Sequence, residues 1–551
     1  MFGLRGLRAS IRSKRLCKDT AASRLLDALT ATQNPQSDVL IEASLCVNEL
    51  SKSAKDVGTE KWESIAQHFV PNLAKMSARN LTMLVNALSH ARVRQEIWFS
   101  EALTALDMVP KKGYSAQDLC VLLSSMVRLS CHDGSFVQRL LEEECPRRVL
   151  ELEPRGIAGF AHAVTRLGGT GAESLVQALL PKMRSFLSEG VLLPLEMALA
   201  IDALSRFGDG GEPLVHGTSQ LPRWADEATS DLEDGLCAQK GVSRLKPLEV
   251  VMVISALSRR GFVGADLAAA LSSAVAAHLA KWPPEELCIV VHSAARLDLR
   301  LDLPLVDGGK APLMSILDVV SDSKDGHFLK ECSPDHLALL LHGLAKLLVQ
   351  PPTALWKFVL ETRITRITSP GSSVHHLLRP TAIRLSLAAA KADFKHELLR
   401  DVLQHAIFAG PLESLSDDAF AAIVYALMHP FYCRRRFLLE LLMHVASFRH
   451  VGTQSLALQI RLGLVHFMFC TNSSRMPSST QIHLLSKVEV KTSEKAEWSR
   501  SLRSRPSALQ SDVHFQLNAI TGSATEAAVG SEVLLWPFCV DLLWPRVENA
   551  S

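Results

Sequence analysis

Nine positions along this 551-residue chain carry a basic or imidazole side chain at the same place in a recurring pattern: His90, Arg128, Arg166, Arg206, Arg259, Arg296, Lys346, Lys391 and His429. Each lies nine residues after an apolar anchor, the anchors being Leu81, Leu119, Ile157, Met197, Val250, Leu287, Leu337, Ala382 and Phe420. With 59 Lys and Arg against 57 Asp and Glu, composition alone does not produce such regularity. A cation in the last turn of a helix interacts with the dipole and caps free carbonyls, for about 0.3–1 kcal/mol. A column with one cation per repeat also has the chemistry to track a phosphate backbone. Both readings stay open from the sequence.

Five residues after the anchors come Asn86, Ser124, His162, Asp202, Ser255, His292, His342, Leu387 and Tyr425, of which all but Leu387 can hydrogen-bond. At about 100° per residue, positions five and nine lie one helical turn apart and share a face. A variable hydrogen-bonding column beside a constant cationic one is what reading one base per repeat next to a phosphate contact requires. A buried ladder of hydrogen bonds between repeats accounts for the same residues, because polar groups inside stacked helices must be satisfied.

Other chemistry is missing. There is no Gly-x-x-x-x-Gly-Lys-Ser/Thr loop, His-Glu-x-x-His pair or Gly-x-Ser-x-Gly elbow. Gly168-Gly169-Thr170-Gly171 lacks a following lysine, and Gly208–Gly211 has no preceding strand pattern. His375-His376 stands without carboxylate or cysteine neighbours, and Arg434-Arg435-Arg436 reads as a phosphate contact or a solvated helix start. The 11 cysteines are scattered and never spaced Cys-x-x-Cys, so reduced, mostly buried thiols are expected rather than disulfides or zinc. No catalytic residue, metal ligand, cofactor or small-molecule substrate is expected.

The elements that must position the two columns follow from the spacing. Successive anchors are 38, 38, 40, 53, 37, 50, 45 and 38 residues apart. Each segment reads as one helix with a common start: Ser77, Ser115, Ser333 and Ser416 stand four before their anchors as N-caps. Pro154, Pro194, Pro247, Pro284 and Pro334 stand three before theirs, where a first-turn proline loses no hydrogen bond. A second amphipathic helix follows in most units, at 98–106, 136–144, 174–183, 265–279, 354–364, 395–407 and 436–447. Two helices per ~38 residues predict an all-α, right-handed α-solenoid. Weaker units are expected near 39–50 and 456–467. The long spacings place insertions near 208–244, read as a surface loop, and 298–332, with a helix at 313–320.

Apolar residues make up 48% and charged residues 21%, the formal net charge is +2, and Tyr, Phe and Trp are sparse at 3, 20 and 8. That excludes a uniformly basic nucleic-acid coat and argues against an all-β chain. The most apolar stretches are interrupted by Asp266 or Arg461, so no membrane span is expected. Residues 1–18 carry Arg5, Arg8, Arg12, Lys14, Arg15 and Lys18 with no acid before Asp19, and Phe2, Leu4, Leu7, Ile11 and Leu16 fall partly at helical spacing between them. This is the composition of a mitochondrial-type transit peptide, with a solvated cytosolic helix as the alternative.

Tandem helical pairs with this leucine- and alanine-rich first helix resemble the octotricopeptide and heptatricopeptide repeat proteins and, more distantly, the FAST-kinase-like organellar proteins, over residues 39–470. The resemblance implies binding of single-stranded organellar RNA, ribosomal RNA in particular, in the mitochondrial matrix, and association with mitoribosomal proteins. Many such proteins end in a RAP domain. Residues 507–517, followed by Glu532-Val-Leu-Leu and Val540-Asp541-Leu542-Leu543, are similar to its opening, a helix and two short strands, while its later strands are absent. An endonuclease-like activity is therefore not carried over: Asp541 alone cannot hold a metal. The expected organisation is 1–35, transit peptide and extension; 36–470, solenoid; 471–506, linker; 507–551, a small α/β remnant. A non-enzymatic RNA-binding protein of RNA stability, processing or the mitoribosome is the expectation, and a protein–protein scaffold without RNA contact is the alternative.

Overall fold

In the computed structural model the described residues are 2–448, except 15, 33–34, 94–95, 110–112, 132–134, 170, 208–220, 300, 302–310, 322–329, 348, 361–378, 409, 430 and 433–434, together with 530–535 and 538–543. They are helical up to residue 448. Packing divides the chain into two compact units, the first comprising Met1–Gly210, Gln220–Arg260 and Gly264–Ala274, the second Gly211–Ser219, Gly261–Val263 and Val275–Ser551.

The first unit contains α1 (Phe2–Arg12), α2 (Lys18–Thr30), α3 (Ser37–Ser51), α4 (Thr59–Phe69), α5 (Ala78–His90), α6 (Glu96–Asp107) and α7 (Ala116–Arg128). After it come α8 (Ser135–Arg139), a π turn at Leu140–Glu144, α9 (Cys145–Arg148), α10 (Pro154–Leu167), α11 (Ala172–Ser188), α12 (Pro194–Leu204), α13 (Arg223–Ala238) and α14 (Pro247–Arg260). Helices α3, α5, α7, α10, α12 and α14 pack in sequence order, each on the next. They are the expected anchor helices with the weaker unit at 39–50 before them. Their starts follow the predicted chemistry: the Ser77 hydroxyl accepts from Asn80 N, and Ser115 and Asp118 form a reciprocal capping box. Being sandwiched, such a helix buries most of its circumference; in α12, Met197, Ala198, Ala200, Ile201, Ala203 and Leu204 are all buried.

One place differs from the pattern reading. The stretch expected as a loop at 208–244 holds α13, which packs on α11 and α12 through Ala225, Ala228, Leu232 and Leu236. Helical spacing of these four outweighs the Gly, Asp and Glu around them. The basic N-terminal stretch is folded as α1, with Leu4, Leu7 and Ile11 buried against α2 and α3. Arg5 and Arg8 pair with Glu42 at 3.3 and 3.6 Å, and Arg12 with Glu49 at 2.7 Å.

Helix α15 (Ala265–His278) carries the boundary between the units. The second unit continues with α16 (Pro284–Arg296), α17 (Pro312–Ser321), α18 (Pro334–Lys346), α19 (Thr353–Phe358), α20 (Arg379–Lys391), α21 (Glu397–Phe408), α22 (Asp417–Met428) and α23 (Arg435–Phe448). Here α16, α18, α20 and α22 pack each on the next. Gly343 permits a close approach of α18 to α16: a Cβ there would stand 2.9 Å from His292 Cα and N. Strands β1 (Gly530–Leu535) and β2 (Phe538–Leu543) pair antiparallel, Val533 opposite Val540. The weak unit at 456–467, the linker at 471–506 and the helix at 507–517 lie outside the described residues, as do His375-His376 and Arg434.

The cysteines Cys46, Cys120, Cys145, Cys288 and Cys332 are buried thiols. Burial pushes the thiols of Cys46 and Cys145 up to about 12 and that of Cys120 to about 11, so they are inert packing residues at neutral pH. No helix among the described residues is long and apolar enough to cross a membrane.

Candidate functional site

The position-nine residues fall in the last turn of their helices, or just beyond in the cases of Arg206 and His429, and the i, i+4 rule brings them to the position-five residues. In the first unit the two columns form a hydrogen-bonded ladder in two stretches, one around Arg128 and one around Asp202. Arg128 Nη2 donates to Asn86 Oδ1 at 2.6 Å, and its Nε to Ser89 Oγ at 3.0 Å, so the guanidinium of one repeat is held by the preceding one. Asp202 is the hub of the next stretch, with a side chain only 4% exposed. It accepts from His162 Nε2 at 3.2 Å and from Arg206 Nε at 3.1 Å, and it pairs with Arg259 Nη2. Arg259 also donates to Ser205 and to Ser255, the position-five residue of its own helix.

The electrostatics fit this ladder. Burial by itself would raise the Asp202 carboxyl, but the His162 hydrogen bond and the charges of Arg259 and Arg206 outweigh it and hold the group well below the usual carboxylate range. Burial lowers the Arg128 and Arg166 guanidinia, the latter helped by Arg206 and opposed by Asp202. His90 is held down by burial and by Arg128. Over the whole residue His90 and Arg166 remain exposed, so their loss of water is partial, whereas Arg128, Arg206 and Arg259 are half-buried. Ser124 is half-buried and bonds back to its own helix at Cys120 O.

The second unit differs. His292 and His342 are fully packed, their rings 5.2 Å apart and their Nδ1 atoms 3.4 Å apart. Burial, then the cations around them, hold both imidazoles neutral: Arg296, Arg384, Lys346 and Lys391 all act on His292. Leu387 is buried, and Tyr425 is half-buried with Lys391 Nζ 5.9 Å from its ring centre. Burial and the charge of Lys346 push Lys391 down to about 8. Lys346 is lowered by burial, with Asp298 pulling up and Arg296 pushing down. His429 is half-buried and meets the exposed Asp393 at 2.8 Å.

No family model matches this chain. No curated protein matches it either. Among solved structures it is similar to a chain of a homology model of the full-length AP-3 complex in an intermediate open conformation, with 11% identity and a TM-score of 0.28 over 92% of this chain and 86% of that one. A likeness at that level carries no argument.

Position five is therefore turned inward only in part: Asp202, His292, His342 and Leu387 are buried among neighbouring helices, while Asn86, Ser124, His162, Ser255 and Tyr425 are half-buried. Two contributions were missed. Position eight supplies Ser89 and Ser205 as acceptors for the arginine of the following anchor helix, a third polar column readable as Ser89, Ser205 and Ser258. Arg260, beside the column residue Arg259, is itself buried and pairs with Glu233 and, at 2.6 Å, with Asp226 of α13. Its partners come from the stretch read as a loop, so sequence spacing gave no sign of them. Among the described residues no group of acids, histidines and cysteines is placed to hold a metal ion.

Proposed function

We propose that the chain is a helical-repeat protein, each unit a stretch of right-handed α-solenoid, that binds single-stranded RNA in the mitochondrial matrix and serves RNA stability or processing, or the mitoribosome, without catalysis. The observation that carries this reading is the repetition of a cation in the same turn of successive, mutually packed helices. A surface with one positive rung per repeat matches the even spacing of phosphates, and an extended partner suits stacked repeats. The basic N-terminal 18 residues support the compartment. Ribosomal RNA is the first RNA class to test, on the resemblance to octotricopeptide and heptatricopeptide repeat proteins.

One observation favours a second reading, a protein scaffold of a mitochondrial complex. Arg128, Arg206 and Arg259 are engaged inside the fold, which leaves fewer rungs for phosphate than the pattern promises. Ultraviolet crosslinking of the endogenous protein in intact mitochondria, followed by sequencing of bound fragments, separates the two. Enriched organellar RNA is expected; co-purified proteins with no enriched RNA would establish the scaffold instead. Incubation of labelled RNA with the purified protein is expected to leave its length unchanged.

A further inference from the structure

Two cysteines that lie 44 residues apart in the chain meet inside the second unit. Cys288 is on α16, one residue after the anchor Leu287, and Cys332 stands in the bend just before Ser333, the N-cap of α18. Both are 0% exposed, and their Sγ atoms are 3.8 Å apart in an S–H···S contact. Cys120 occupies the same place in its own repeat, one residue after the anchor Leu119, and is also buried. There the thiol meets a backbone carbonyl, Gly156 O at 3.5 Å, so the repeat does not of itself bring sulfur to sulfur.

A disulfide bond is ~2.05 Å long, so the two sulfurs have to close by roughly 1.8 Å, a displacement that turning a side chain about its Cα–Cβ bond can supply. The route in is short. Lys330 and Glu331, directly before Cys332, are exposed, so the chain turns from the surface into the core within one residue. The hydrogen bond with Cys332 and burial push the Cys288 thiol well up, which keeps it protonated while the fold is closed. Oxidation is therefore paced by local opening.

We infer that Cys288 and Cys332 are a modification site at which a peroxide writes a reversible disulfide, tying α16 to the start of α18. In the first step the sulfur of Cys332, beside the exposed residues, attacks one peroxide oxygen. The O–O bond breaks, the thiol proton leaves with the released oxygen as water, and Cys332 becomes a sulfenic acid. In the second step the Cys288 sulfur attacks it: the S–S bond forms, the S–O bond breaks, and the Cys288 proton leaves with that oxygen as a second water. The two thiols lose two electrons and the peroxide takes them up. A dithiol reverses the change by exchange. The site asks nothing of RNA binding and stands whichever partner the protein takes.

The test treats the full-length protein, reduced and then freed of reductant, with hydrogen peroxide, unfolds it in N-ethylmaleimide and digests it without reductant for mass spectrometry. The expected product is a peptide pair joined through Cys288 and Cys332, lighter by two hydrogens than the separate peptides and parted by dithiothreitol. Cys120, whose partner is a carbonyl, is expected as its maleimide adduct. Bridging residues 44 apart removes loop entropy from the unfolded chain, so the midpoint of the second unit's thermal transition is expected to rise by roughly 5–10 °C on oxidation and to return on reduction. Cys288→Ser and Cys332→Ser are each expected to abolish both changes, and Cys120→Ser to keep them. If the wild type, still folded by circular dichroism, yields Cys288 and Cys332 as separate adducts or separate sulfinic acids, the site is overturned, whether or not the serine variants fold. A link that forms only after unfolding in urea, or that joins other cysteines as readily, overturns it too, because the native contact would then play no part.

Discussion

Replacing Asp202 by Ala distinguishes a structural ladder from a nucleic-acid surface more sharply than replacing any of the cations. The carboxylate is 4% exposed and serves His162, Arg206 and Arg259 together. Removing one side of a fully buried ion pair costs about 3–5 kcal/mol, because the remaining charge is stranded. Here the stranded groups are 28% exposed for Arg206 and 21% for Arg259, so water recovers part of that cost, and about 2–3 kcal/mol is expected. For a unit of this size that lowers the midpoint by roughly 4–12 °C. Circular dichroism at 222 nm (the standard helix band) on the purified chain follows it, with the two units free to melt separately.

The pH dependence gives a second handle. Asp202 is depressed in the folded chain, so its contribution is fully present above the unfolded value near ~3.9 and is lost as pH falls through the folded value. The gap between wild type and Asp202→Ala is therefore expected to be constant at neutral pH and to close only in strong acid. RNA binding is expected to move the other way from stability, since two guanidinia are released and each phosphate they meet adds about 0.7 to the salt slope. A variant that is as stable as wild type to within ~0.5 kcal/mol, or that loses RNA affinity while folded, would refute the ladder.

Gly343→Ala should gain ~1 kcal/mol from helix propensity alone, yet its Cβ would stand 2.9 Å from the His292 backbone, so a net loss of about 1–3 kcal/mol in urea unfolding is expected; a gain would show that α16 and α18 can separate freely. Lys391, at about 8 when folded against 10.5 ordinarily, carries its cost in full below pH 8, and stability is expected to rise between pH 8 and 10.5 by about 3 kcal/mol at most, a rise that Lys391→Met should abolish. Ser115→Ala removes the hydroxyl half of the α7 capping box and leaves Asp118 accepting from the backbone N–H of residue 115; it should cost about 1 kcal/mol by thermal melting, against no more than a few tenths for Ser115→Gly.

The repeat was legible because a sandwiched helix has to be apolar nearly all round and has to start cleanly, and both requirements leave marks at fixed offsets. Ser77, Ser115, Ser333 and Ser416 each cap the helix their spacing implies. The pairing of positions five and nine was legible for the same reason, and Asp202 with Arg206 is that i, i+4 pair. What the pattern could not give is which neighbour each polar group chooses. Arg128 reaches back one repeat to Asn86 and Ser89, whereas His162 reaches forward to Asp202, and these choices depend on helix offsets of a few ångströms. Helix α13 was illegible because its composition resembles a solvated loop while only one stripe, Ala225 to Leu236, faces the core.

The choice between arginine and lysine along the column carries one more consequence. Positions 128, 166, 206, 259 and 296 hold Arg, and 346 and 391 hold Lys. A guanidinium is a planar fork that can bridge several acceptors at once, and Arg259 uses it so, holding Asp202, Ser205 and Ser255 from one side chain. An ammonium cannot span that set, since its three donors radiate from a single atom. Arg259→Lys, which keeps the charge, is therefore expected to lose two of the three contacts, at ~0.5–1.5 kcal/mol each, for a loss of about 1–2 kcal/mol in the half-buried site. Lys391→Arg, in a place without carboxylate or amide at position five, is expected to leave RNA affinity within about threefold of wild type, because phosphate accepts either cation. The pair is measured by urea unfolding for the first and by anisotropy for the second. If Arg259→Lys is neutral, charge rather than hydrogen-bond geometry holds the first unit's ladder, and the Arg and Lys rungs would then differ in name only.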